Sequence, residues 1–316
     1  MFVEVFVKWV IVAESCALAA ETNVAMTQSM PEPKPVSRLQ VIPQPYAQAS
    51  FQRDWVEITR YHFGEGLNRP FLFPLVGPAG RSLTRMGHPH DPEGHSHHNS
   101  VWMSHVDVSG VDFWSDKRLG TIRHKRVVSY EDEGEQSSVT AENEWMDKDG
   151  RVLLNETRRI SVVLLEGKEW LLVIDSTFTT ADKPITLGKT PFGLLGVRMA
   201  KTIGVNDGGG RIRNSEGGVN EKEILWKQAR WVDYSGAVEN GKIEGITLFD
   251  HPSNPNHPSY FHVRNDGWMG ASLTFDGPRE IALDKPLRVR YGLYIHSDMK
   301  SPAQIEEQWK RFGETP

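Results

Sequence analysis

Between Gly87 and Asp107 the chain places six of its twelve histidines, in GHPHDPEGHSHHNSVWMSHVD. Histidine titrates near neutral pH and is the commonest metal ligand, so the cluster points to proton transfer or to metal binding. Trp102, Phe113 and Trp114 follow at once, and a solvated polar loop does not ordinarily run straight into such a segment. If residues 97–107 are extended, His97, Asn99, Val101, Met103, His105 and Asp107 share one face, and His98, Ser100, Trp102, Ser104 and Val106 the other. On a straight strand His97 and His105 lie about 26 Å apart and cannot share an ion unless the chain turns. His88 and His90, or His95 and His97, lie about 6.6 Å apart on one face and could. His97 and His98 are therefore candidates for acid–base work. His88, His90, His95 and His105 are candidates for a divalent metal, with Asp91 or Asp107 able to complete a two-His, one-carboxylate set. No His-Glu-x-x-His spacing is present.

A second polar cluster is FDHPSNPNHPSYFHVRNDGW, residues 249–268. Asp250, His251, Asn254, His257, His262 and Arg264 fall within fifteen positions, and prolines restrict the loop between them. His262 and Arg264 share a face of the strand that follows, a proton-transfer group beside a binder of anions or hydroxyls. Between the clusters, NETRRI puts Glu156 and Arg158 on one strand face, where an exposed cross-strand ion pair competes with a site role. In KTPFGLLGVRMAK, Arg198 lies among apolar residues, and a buried Arg takes a carboxylate or an anionic ligand. Ten tryptophans suit sugar binding and core filling equally.

These residues must be held by β-structure. WVEITRYH, FLFPLV, WLLVIDSTFTTA, GITLFDH, SYFHVRN, GASLTF and LRVRYGLYIHS are short, rich in β-branched and aromatic residues, and separated by Gly, Pro and Asp. Asp149-Gly150 links two alternating segments as a tight hairpin turn. The one clear helix is C-terminal, with Ser301 as N-cap and Pro302 in the first turn. The expected fold is all-β, a large antiparallel β-sandwich with a short C-terminal helix, spanning residues 50–316 as one domain. Residues 1–26 read as a leader interrupted by Glu4 and Glu14, favouring a secreted or periplasmic protein over a cytoplasmic one. Residues 27–49, with five prolines, read as a linker outside the fold.

Composition narrows the function classes. A net charge of −5 excludes a broad nucleic-acid surface. The single cysteine, Cys16, excludes an internal disulfide and Cys-rich metal sites. No stretch reads as an integral membrane span. The expected partner is a small molecule or an oligosaccharide.

RPFLFPLVGPAGRSLTR, HPHDPEGHSHHNSVWMSHVDVSGVDFW, NETRRI, GLLGVRMA, ARWVDYSG and FDHPSNPNHPSYFHVRNDGW, in this order, resemble a bacterial family labelled PmoA-like, or "methane oxygenase". His97, His98, Ser100 and Trp102 carry its most specific piece, and Phe249 to Asn254 the next. The label does not transfer as function, because a particulate methane oxygenase subunit needs membrane spans that this chain lacks. The resemblance implies a galactose mutarotase-like supersandwich and a setting in carbohydrate degradation. Where an acidic residue is expected before Gly-Leu-Leu-Gly-Val-Arg, this chain has Thr190-Pro191-Phe192-Gly193.

The first reading is a carbohydrate-active enzyme of epimerase, lyase or hydrolase type. His97, His98 and His262 would act as acid and base, with Glu156 and Asp250 as carboxylates. Trp102, Arg158, Arg198, His251, Asn254 and Arg264 would hold substrate. A non-catalytic carbohydrate-binding protein is the second reading, and a His-ligated metal-dependent oxygenase or hydrolase the third. Consumption of a sugar separates the first two, and bound metal the third.

Overall fold

Alternation of apolar and polar residues at period two builds the molecule, because every second side chain of a strand meets the same neighbour layer. The computed structural model describes residues 36–314 apart from 89, 91–93 and 118. The expected leader, residues 27–35 of the linker, Cys16 and Asp91 lie outside the described residues. From Ser37 onward the chain forms one compact unit.

An eight-stranded antiparallel sheet begins with four long strands in chain order, Gly120–Glu133, Gln136–Asp147, Val152–Leu164 and Trp170–Thr180. Asp149-Gly150 makes the expected hairpin, with Gly150 at φ +84°, a conformation in which a Cβ would be strained. Leu287–Ser297, Ile243–Asp250, Trp231–Ala237 and Arg211–Asn214 complete this sheet. A nine-stranded sheet faces it. Its order is Leu39–Gln44, Gln48–Arg53, Val56–His62, Phe71–Leu75, Val101–Met103, Leu194–Arg198, Trp268–Ser272, Tyr260–Arg264 and Lys227–Gln228. Ile185–Leu187 and Arg279–Ile281 pair separately. One apolar core joins the two large sheets, with Val101, Met103, Leu195 and Val197 on one side and Val139, Ile160, Val162 and Leu172 on the other.

The all-β fold class and the terminal helix stand. Helix Pro302–Glu314 starts with a reciprocal cap, in which Ser301 Oγ accepts the Gln304 N–H and Gln304 Oε1 accepts the Ser301 N–H. Ile305 and Phe312 dock on Val173, Trp231, Phe249 and Tyr294, on the outer face of the eight-stranded sheet. No helix among the described residues is long and apolar enough to cross a membrane.

One expectation needs correction. From Leu39 the proline-rich segment is not a linker outside the fold: Leu39–Gln44 pairs with Gln48–Arg53 as an outermost strand of the nine-stranded sheet, with Leu39 and Val41 buried. Proline is tolerated on such an edge, where the missing N–H faces no second partner, so Pro43 did not prevent pairing.

Candidate functional site

The candidate site lies on the face of the nine-stranded sheet turned away from the core. Gly196 pairs with Trp102 and Gly270, and Trp268 with Arg198 and Arg264. The alternation that sends Val101, Met103, Leu195 and Val197 inward therefore sends Trp102, Arg198, His262, Arg264 and Trp268 outward. Glycine makes room for the indoles. A Cβ at Gly196 would stand 2.5 Å from Trp268 and 3.1 Å from Trp102, and one at Gly270 would stand 2.9 Å from Trp268. Asn265-Asp266-Gly267 turns the chain back between Tyr260–Arg264 and Trp268–Ser272, placing Asp266 at the rim.

Two loops wall this floor. One brings His95 and His98, the other Trp114. Asp112 shapes the second by accepting the Trp114 N–H at 2.7 Å and the Ser115 hydroxyl at 2.6 Å. Arg69, buried at 1% exposure, ties the loops together. Its guanidinium lies 2.8 to 3.3 Å from the carbonyls of His97, Phe113, Trp114 and Ser115 and from the side-chain oxygens of Asn99 and Asp116. The His98 ring stacks on Trp268 (centroids 5.2 Å, 16°) and Trp102 (5.4 Å, 29°), while Trp114 stands edge-on to Trp268 (5.7 Å, 87°).

The result is a cavity of about 270 Å³. Its walls are aromatic (Trp114, Phe192, Trp268) and its polar lining is His95, His98, His262, Arg198, Arg264 and Asp266. Several polar atoms of the lining are buried with no hydrogen-bond partner among the described residues: Nδ1 of His98, Nδ1 of His262, Nε1 of Trp268, and Nε and Nη2 of Arg198. Buried polar groups are normally satisfied, so this concentration sets the cavity lining apart from the rest of the core.

Electrostatics follow from burial. Burial pushes His262 down to about 4, with Arg264 adding to the shift. Burial also drives His98 far below its ordinary value, with His97 and Arg198 adding to it. Both imidazoles are thus neutral at pH 7, each with one donor and one acceptor nitrogen. Burial alone would raise Asp266, but Arg198 and His88 outweigh it and hold the carboxyl low. Arg198 Nη1 donates to Asp266 Oδ1 at 3.1 Å, and His88 Nε2 lies 3.2 Å from Oδ2.

The structure distributes the other sequence candidates. His97 sits behind the wall, its ring 4.5 Å from that of His98, and is lowered to about 4 by burial and by Arg69. Trp102 lies under the cavity floor. His88, His90 and His95 continue a row of rings outward, with centroids 5.9 Å apart for His88 and His90 and 5.0 Å for His88 and His95. Among the described residues no group of three or more His, Cys, Asp or Glu could hold a metal ion. His105 is buried elsewhere: its Nδ1 accepts the Asp107 N–H and its Nε2 meets Thr274 Oγ1 at 2.9 Å. The extended reading of 97–107 holds only for Val101–Met103, because Ser100 at φ 60° turns the chain before the strand. Alternation therefore does not sort His97, His98 and His105 onto faces.

Glu156 and Arg158 do share a face, but it is the inner one. Their bidentate pair (2.7 and 2.8 Å) is closed off by Ser176 Oγ at 2.7 Å and Trp145 Nε1 at 3.0 Å, between the sheets. Asp250, His251 and Asn254 form a clasp for the terminal helix. Asp250 accepts from Asn254 Nδ2, His257 Nδ1 and the Ser259 N–H at 2.7 to 2.8 Å, and its carbonyl accepts Trp309 Nε1 at 2.9 Å. His257 stacks on Trp309, and His251 abuts Phe312. Neither expected carboxylate lines the cavity. The carboxylate that does, Asp266, is not among the sequence candidates for site residues, and neither are Trp114, Phe192, Trp268 and Arg69. The Asn-Asp-Gly turn after Arg264 was the available signal, since a tight hairpin there returns Trp268 beside Arg264.

No curated protein matches the chain. Among solved structures, a GalM/aldose epimerase homologue from C. elegans is similar at 7% identity and a TM-score of 0.32, over 84% of this chain and all of that one. The methane-oxygenase label that came with the motif resemblance finds no support in the family match, which extends over residues 48–310 and is described as a family of unknown function. The chain belongs to that family, DUF6807.

Proposed function

We propose that the cavity binds a single sugar ring and that His98 and His262 exchange protons with it. The observation that carries this reading is the facing of aromatic walls by unpartnered donors and acceptors of His98, His262, Trp268 and Arg198. A sugar ring offers matching surfaces, an apolar C–H face for an indole and a rim of hydroxyls that both donate and accept. The volume, about 270 Å³, lies just under the usual range of roughly 300–1,000 Å³ for ligand pockets and suits one ring. Neutral imidazoles accept a proton from one hydroxyl while donating to another, which fits epimerisation, ring opening or elimination. Glycoside hydrolysis by two facing carboxylates fits less well, since Glu156 and Asp250 are engaged elsewhere and Asp266 is held by Arg198 and His88.

Non-catalytic sugar binding is the second reading. It is favoured by the strong lowering of His98 and His262, which leaves neither imidazole poised near pH 7. A panel of monosaccharides and glycosides, read by tryptophan fluorescence for binding and by NMR for conversion, decides between them. Conversion that falls by about 10²-fold or more in His262→Ala supports proton transfer. Binding without conversion moves the assignment to the second reading, and binding of no sugar refutes both.

A further inference from the structure

Arg198 is the cavity residue whose chemistry is least satisfied. Its side chain is fully buried, it lines the cavity, and only Nη1 is engaged, by Asp266. Nε and Nη2 are buried without a hydrogen-bond partner among the described residues. In a planar guanidinium these two nitrogens share one edge and present two parallel N–H donors, spaced to match the two oxygens of a carboxylate. A cation left with a bare, desolvated edge is costly, so the edge is built to be filled.

Among the described residues the neighbouring charges do not fill it. Asp266 already receives Arg198 Nη1 and His88. Arg264 is paired with Glu221 at 2.9 Å, and Asp207 lies against His90 at 3.5 Å. Arg85 adds positive charge beside Arg198, and its Nε and Nη2 donate to the carbonyls of Met199 and Asp266.

We propose that the ring bound in the cavity carries a carboxylate, seated on the Nε–Nη2 edge of Arg198, so that the ligand is an acidic sugar of the uronate type. This rests on the sugar-binding reading above and specifies its substrate class. A phosphate would bring three terminal oxygens and nearly two charges, whereas Arg198 offers one two-donor edge with the anionic Asp266 beside it. One planar fork matches one planar carboxylate.

The test is equilibrium binding to the full chain of D-glucuronate and D-galacturonate against D-glucose, D-galactose and glucose 6-phosphate. The uronates are expected to bind at least about tenfold more tightly than their neutral counterparts. Arg198→Lys, which keeps a charge but lacks the fork, is expected to abolish that advantage. Equal binding of neutral and acidic sugars overturns the inference and leaves the sugar-binding reading standing. Tightest binding of the phosphate overturns the carboxylate assignment, as does a uronate preference that survives in Arg198→Lys. Binding of none of the five overturns both readings. If the variant does not fold, the wild-type comparison decides alone.

Discussion

Replacing Arg69 by Met tests whether one buried guanidinium holds both walls of the cavity. The substitution keeps much of the apolar stem and removes every donor. Six acceptors lie within 3.3 Å of the Arg69 guanidinium, four of them backbone carbonyls in the histidine and Trp114 loops. Five N–H groups cannot fully serve six acceptors, so the loss is smaller than a simple sum of contacts. Asp116 keeps partial solvent access, with 28% side-chain exposure, and Asn68 still donates to it. Removing one member of such a buried pair costs about 3–5 kcal/mol. For a domain of this size that corresponds to a fall in Tm of about 6–10 °C. The assay is thermal unfolding followed by near-ultraviolet circular dichroism, which reports the packing of Trp114 against Trp102 and Trp268. Affinity for the proposed sugar ligand should fall along with it, because His98 and Trp114 lose their common anchor. A variant with wild-type Tm and an unchanged near-ultraviolet spectrum would refute the reasoning, since the loops would then be held by something other than Arg69.

Further expectations follow from the same geometry. Gly196→Ala drives a methyl into Trp268 and Trp102; it should cost about 1–3 kcal/mol by overpacking and weaken sugar binding, measurable together by unfolding and fluorescence titration. His97, His105 and His262 are each lowered to about 4, first of all by burial. The unfolded chain, with histidine near 6.5, binds more protons between those values, so stability should be full above about pH 6.5 and decline toward pH 4, with a slope of up to about 1.4 kcal/mol per pH unit for each group. A Tm that stays flat from pH 7.5 to 4.5 would contradict the burial of these rings. Asp250→Ala strands the donors of Asn254, His257 and Ser259. It should destabilise the protein by about 3–5 kcal/mol and loosen the terminal helix, while the folded fraction keeps its affinity for the proposed sugar ligand; selective loss of affinity at unchanged Tm would return Asp250 to the site.

Much of the architecture was written in local pattern. The segment LRVRYGLYIHS became the strand Leu287–Ser297 residue for residue, Asp149-Gly150 became the hairpin, and Ser301 the helix cap, because alternation, turn conformation and capping are satisfied within a few residues. His98, His262, Arg198 and Arg264 could likewise be named from residue type and spacing alone. Leu39–Gln44 was obscured by proline composition, which says where a chain resists pairing on both sides but not where one side suffices.

What the sequence could not decide was which polar clusters meet. The cavity draws His98, Arg198, and His262 with Trp268 from three distant segments, joined because Val101–Met103, Leu194–Arg198 and Trp268–Ser272 are neighbours in the sheet. Strand order is set by packing of the whole core and leaves no mark in local sequence. Nor does a period of two say which of its two faces is inside. Glu156–Arg158 and His262–Arg264 have the same spacing and similar polarity, yet the first pair is sealed between the sheets and the second opens on the cavity. Only the neighbours supplied by the folded sheets distinguish them, because burial belongs to the layer opposite a strand and not to the strand itself.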